Sequence, residues 1–166
     1  VALRGEFATA YTPYQAEASQ GTLQSIFEFQ SLICELFKMD VANASMYDGA
    51  SAAAEACLVA AKHTGRNEIL VPETVHPQTL RVIQTYLAHS GARVTPVPCP
   101  NGILEPAFLQ KYLGPDTAAL LLQNPNFFGC LESHVKDLSD LIHGAGGLLI
   151  ASTYPVALGL LSPPGE

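Results

Sequence analysis

Thr117-Ala118-Ala119-Leu120-Leu121-Leu122-Gln123, with Asn124-Pro125-Asn126 directly behind it, is the stretch that decides the fold. A run of apolar residues with no polar residue in alternation describes a strand covered on both faces. That is the habit of parallel sheets, since antiparallel sheets more often leave one face to water. The neighbouring segments agree. Ahead of it, Ala92 to Val97 reads as a strand and Pro106 to Leu113 as a short helix; behind it, Val135 to His143 reads as a helix and Leu148 to Ala151 as a strand. Further upstream, Glu68 to Val71 is a short strand. His76-Pro77 then opens a helix running to His89, with Pro at its first position and Gly91 closing it. Ser51 to His63 is dominated by Ala, the strongest helix former, and Gly65 supplies a left-handed stop. From Gly21 to Met39, the residues Leu23, Ile26, Phe27, Leu32, Ile33, Leu36 and Phe37 recur at helical spacing, with Glu28 and Glu35 off the stripe, as in an amphipathic helix. Strand and helix alternate throughout. The expected fold class is therefore α/β, a three-layer α/β/α arrangement on a mostly parallel sheet with right-handed crossovers.

The bulk properties narrow the function classes. At 166 residues the chain is the size of one domain and long enough to bury a core. Eight Lys plus Arg against fifteen Asp plus Glu leave a net charge of −7, which repels phosphate backbones, so no nucleic acid partner is expected. Small molecules or proteins are the expected partners. Cys34, Cys57, Cys99 and Cys130 lie far apart and form no C-x-x-C pair, which disfavours zinc and reads as buried free thiols in a reducing compartment. No apolar run approaches the ~20 residues of a membrane span, and no signal segment precedes the first motif, so a cytoplasmic protein without a membrane partner is expected. Walker, G-x-G-x-x-G, G-x-S-x-G and H-E-x-x-H patterns do not occur, leaving nucleotide, hydrolase and metalloprotease readings without support.

In open α/β sheets, ligands sit beyond the carboxyl ends of strands and at helix N-termini. Asp48-Gly49-Ala50-Ser51 leads straight into the Ala-rich helix, where a phosphate fits; the plainer role is that Ser51 caps the helix and Gly49 turns the chain. His76 follows a strand and could stack on a flat cofactor or simply cap the next helix. His63, His89 and His143 fall in the last turns of their helices, and His134 is expected to be exposed; none of the four has a catalytic reading. Gln123, Asn124 and Asn126 bring three amides to the end of the most apolar strand, suited either to a polar ring substituent or to an ordinary Asx-turn. Near the start, Tyr11, Tyr14, Glu17 and Gln20 could line a pocket for a small zwitterion or stand in solvent.

Read as one string, F-A-T-A-Y-T-P-Y-Q-A-E-A-S-Q-G-T-L-Q-S-I-F-E-F-Q, then M-Y-D-G-A-S-A-A-A-E-A and L-L-L-Q-N-P-N-F-F-G-C-L-E, the chain resembles subunit 1 of the P-protein family of decarboxylating glycine dehydrogenases over nearly its whole length. The family is similar to fold-type-I enzymes of pyridoxal phosphate (PLP). The resemblance implies that residues 1–20 form an N-terminal loop segment and residues 21–166 part of a PLP-transferase large domain, ending before the cofactor lysine. The implied reaction is loss of carbon dioxide from glycine and transfer of the aminomethyl group to the lipoyl arm of the H-protein, with PLP as electron sink.

Family chains that hold the cofactor carry an Asp near the end of the strand after a Gly-Gly pair. This sequence reads Gly146-Gly147-Leu148-Leu149-Ile150-Ala151-Ser152 there. The resemblance thus implies that PLP sits on a second subunit and that no catalytic residue lies in this stretch. Asp48, Gly49, Ala50, Ser51, His76, Asn124 and Asn126 would persist as a vestigial cofactor pocket or its supports. Tyr11, Thr12 and Tyr14 would reach into the partner's site. The alternatives are a PLP-free scaffold that docks the lipoyl carrier, and an independent fold-type-I enzyme of the aminotransferase or desulfurase kind.

Overall fold

A computed structural model describes residue 3 and residues 21–166. Tyr11, Thr12, Tyr14, Glu17 and Gln20 lie outside the described residues. The chain divides into two compact units, Val1–Ser45 with Leu158–Glu166, and Met46–Ala157.

In the first unit, α1 spans Gly21–Phe37 and none of its residues is buried. Its end is held by backbone bonds, Met39 N to Cys34 O at 3.1 Å and Gly165 N to Phe37 O at 3.0 Å. The Gln30 side chain ties it to the Ala42 carbonyl at 2.6 Å.

The second unit carries the sheet. Its elements are α2 (Gly49–Thr64), β1 (Glu68–Pro72), α3 (Pro77–Leu87), β2 (Arg93–Val97), α4 (Pro106–Tyr112), β3 (Thr117–Asn124), α5 (Val135–Gly144) and β4 (Leu148–Thr153), followed by a 3-10 turn at Pro155–Gly159. The four strands are parallel in the order β2-β1-β3-β4. Alternate side chains of the strands feed two cores. Ile69, Val71, Ala119 and Leu121 pack with Ala53, Ala54, Cys57 and Ala60 of α2 and Ile83 and Leu87 of α3. On the opposite face, Leu70, Val97, Leu120 and Leu122 pack with Leu104, Leu109, Leu138 and Ile142. Two helix layers around one parallel sheet follow from strands apolar on both faces. The small residues of α2 recur three and four apart, so its inward stripe lies flat and close to the sheet.

Four expectations need correction. His89 lies beyond α3, which stops at Leu87. Ala88 N to Thr85 O and Ser90 N to Leu87 O are three-residue turn bonds that tighten the last turn, and the Ser90 hydroxyl also donates to Leu87 O. Only Cys57 is a buried thiol, because it alone sits on an inward helical stripe; Cys130 is exposed on a turn and Cys34 and Cys99 are partly covered. His134 is half-covered rather than exposed, standing at the N-cap of α5. The last strand runs beyond Ala151 because its ladder with β3 continues through Gln123 opposite Ser152 and Asn124 opposite Thr153.

No helix among the described residues is long and apolar enough to cross a membrane.

Candidate functional site at the carboxyl ends of the strands

The connection from β1 to β2 runs through α3 on one face, and that from β3 to β4 runs through α5 on the other. The chain therefore turns in opposite directions from β1 and β3, which are neighbours. Such a reversal opens a crevice at the carboxyl ends of the two strands, the place where open α/β sheets bind ligands. His76 follows β1, and Gln123 and Asn124 close β3. The sheet brings them together: His76 N donates to Gln123 Oε1 at 2.9 Å. His76 also caps α3, its Nδ1 accepting from Gln78 N at 3.1 Å. Phe127 meets the His76 ring edge-on, 4.7 Å between centroids at 80°.

The chain after β3 folds into a closed turn around one amide. Asn124-Pro125 is a cis peptide. Asn126 is only 4% exposed, and its whole hydrogen-bonding capacity is used inside the protein. Its Oδ1 accepts from Phe128 N and Cys130 N, both at 3.1 Å; its Nδ2 donates to Gly102 O at 2.8 Å and to Glu132 Oε1 at 3.1 Å. Asn124 Oδ1 accepts from Glu132 N at 3.1 Å, and its Nδ2 is engaged by none of these bonds. Sequence reasoning singled out the three amides but missed Glu132, which organises two of them. No periodicity could have exposed it, since Glu132 lies in an irregular loop eight residues past Asn124.

The helix start is a separate feature. α2 runs back against the strands and leads through Gly65 into the amino end of β1, so its N-terminus points to the carboxyl ends. Asp48, not Ser51, is the N-cap: Asp48 Oδ1 accepts from Ser51 N at 2.7 Å while Asp48 N donates to Ser51 Oγ at 3.1 Å, a reciprocal capping box. The Ser51 hydroxyl also donates to Asp48 Oδ1 at 2.9 Å. Backbone N–H donation from Ser51, and then its hydroxyl, hold the Asp48 carboxyl below the usual 3.8. A carboxylate thus already occupies the place at the helix end where an anion would be favoured. Gly49 and Ala50 form the first turn behind it.

The family model described as Glycine cleavage system P-protein matches residues 1–166. The chain belongs to this family. It is 52% identical over 164 residues to the protein named "Probable glycine dehydrogenase (decarboxylating) subunit 1" of Desulfitobacterium hafniense, an alignment that covers 99% of this chain and 36% of that protein. The chain spans little more than a third of the length of the curated relatives it matches. It also resembles a crystal structure of glycine decarboxylase (P-protein) of the glycine cleavage system in inhibitor-bound form, with a TM-score of 0.88 and 46% identity over 99% of this chain and 36% of that one. A C-DES mutant with glycine covalently linked to its PLP cofactor shares the fold alone, with a TM-score of 0.59 at 16% identity over 86% of this chain and 38% of that one. The chain thus shares the parallel sheet and flanking helices of the fold-type-I PLP enzymes.

The described residues at the carboxyl ends of its strands do not fit a PLP. An enzyme of this kind needs a lysine to anchor the cofactor and an acid to keep the pyridinium nitrogen charged. Lys62, Lys111 and Lys136 lie within α2, α4 and α5, and Lys38 lies just past α1. Lys111 Nζ stands over the Phe108 ring and Lys38 pairs with Glu35. None follows a strand. At the end of β4, Ser152 stands in register with Gln123, and a serine cannot hold a ring nitrogen protonated. The phosphate would meet the Asp48 carboxylate at the start of α2.

Proposed function

We propose that this chain is part of subunit 1 of a two-subunit glycine decarboxylase whose second subunit carries the PLP. The likeness to subunit-1 relatives over almost the entire chain supports the reaction. The observation that carries the division of labour is Ser152, which stands in register with Gln123 at the end of β4 where a ring-facing acid would be needed. In the proposed reaction, glycine loses its carboxyl group as carbon dioxide and the aminomethyl group passes to the lipoyl arm of the H-protein. PLP, bound by the partner, supplies the electron sink for the carbanion that this loss creates. The part of this chain is to complete and shape that site. Tyr11, Thr12 and Tyr14 are the residues proposed to reach the partner's substrate, and Asp48 to Ser51, His76, Asn124 and Asn126 are proposed to support a pocket that no longer holds a cofactor.

The test is reconstitution of full-length subunit 1 with subunit 2, PLP and lipoylated H-protein. Release of labelled carbon dioxide from carboxyl-labelled glycine is expected only when both subunits are present, and borohydride should fix the cofactor to a lysine of subunit 2. Replacing Tyr11 and Tyr14 by Phe should lower the turnover number. Full turnover by subunit 1 alone would refute the division of labour, and unchanged turnover in the Tyr variants would favour a scaffold.

A further inference from the structure

Glu132 is the one buried carboxylate among the described residues, 5% exposed. A carboxylate withdrawn from water needs a donor at each oxygen. Both are supplied: Oε2 accepts from Leu104 N at 2.9 Å and Oε1 from Asn126 Nδ2 at 3.1 Å. No cation is paired with it among the described salt bridges. A buried carboxyl group without a cation partner is a costly way to stabilise a fold, since its desolvation must be offset by hydrogen bonds. Its value lies in geometry. The side chain ties the closed turn after β3 to the connection between β2 and α4, and the backbone N–H of Glu132 holds Asn124 Oδ1.

Asn126, held by Glu132, closes the turn that fixes Phe128 and Cys130. Within that turn Phe127 N donates to Thr74 O at 2.9 Å, and the Phe127 ring lies against His76. We propose that Glu132 is a positioning residue of the carboxyl-end site, setting the amides of Asn124 and Asn126 and, through the turn, the contact of Phe127 with His76. The assignment rests on the reading that this end of the sheet serves glycine decarboxylation.

Two variants of full-length subunit 1, each assembled with subunit 2, decide it. Glu132→Gln places an amide NH2 where a donor already points. Hydrogen exchange across residues 124–132 is expected to quicken by about tenfold, the effect of leaving one buried polar group unpaired. The turnover number should fall by a similar factor, with the KM for glycine little changed. The second variant adds Asn126→Asp, which exchanges donor and acceptor at the contact with residue 132 while the introduced carboxylate still accepts from the N–H groups of Phe128 and Cys130, at the loss of the bond to Gly102 O. It should recover part of the lost turnover and part of the exchange protection. Faster loop exchange with unchanged turnover would reduce Glu132 to a structural role and overturn the proposal. So would an exchange-protected double variant that stays as slow as the single one. If Glu132→Gln alone does not assemble, the double variant decides. A wild-type pair that releases no carbon dioxide refutes the decarboxylase reading instead, and loop exchange then still decides whether Glu132 positions the turn.

Discussion

At the scale of single residues, Asp48 shows how a familiar pattern changes meaning once its hydrogen bonds are known. The segment Asp48-Gly49-Ala50-Ser51 has the residues of an anion site, yet the anion it receives is its own carboxylate. Because the folded-state pKa of Asp48 is lowered, its contribution to stability is present above the unfolded value near 3.8 and is lost as the pH falls through the folded value. Asp48→Asn should therefore flatten the acid limb of the stability curve, lowering the midpoints above about pH 4 toward those near pH 2, which should be little changed; denaturant midpoints measured from pH 2 to 7 would show this. Asp48 is exposed, so salt should shrink the effect. An acid limb identical in both proteins would mean that the cap carries no charge-dependent stability. The presence of a cap could be read from residue types alone. Which residue held it could not, because Asp48 and Ser51 are both good capping residues and only their reciprocal geometry assigns the roles.

At the scale of elements, β3 is the part that sequence reading recovers most completely. Its residues from Thr117 to Leu122 are all buried, Leu121 in the core beneath α2 and α3 and Leu120 in the core beneath α4 and α5. Truncating either removes packing on one face of a central strand. Leu120→Ala and Leu121→Ala should each cost about 2–5 kcal/mol, readable as a fall in the urea midpoint at unchanged slope. If either cost less than about 1 kcal/mol, the reading of β3 as covered on both faces would be wrong. Helix ends were less legible. The end of α3 depends on Ser90 competing for the Leu87 carbonyl, a local hydrogen bond that apolar periodicity does not register. The polar end of β4 was missed for a related reason: Ser152 and Thr153 carry no apolar signal and are strand only because Gln123 and Asn124 pair with them.

At the scale of the whole molecule, the two outer strands of the sheet formed by the described residues differ. β2 is blunted by Pro96, which donates no hydrogen bond, and by Arg93, which pairs with Asp116 at 2.6 Å and Glu68 at 3.3 Å. β4 has neither device: Leu148, Leu149 and Ile150 are half-buried and Ala151 is exposed. The 166-residue chain by itself should therefore self-associate, and Ala151→Lys should shift it toward monomer in light scattering after gel filtration; an oligomer indifferent to that charge would have to form elsewhere. Sequence by itself determined the fold class, the order of strands and helices and the family, because buried apolar runs, caps and long motif strings are local properties of the chain. Only the tertiary structure decided the reversal between β1 and β3, the bond of His76 to Gln123 and the place of Glu132. These join residues six to almost fifty positions apart, and no periodicity along the chain encodes which loops a sheet brings side by side.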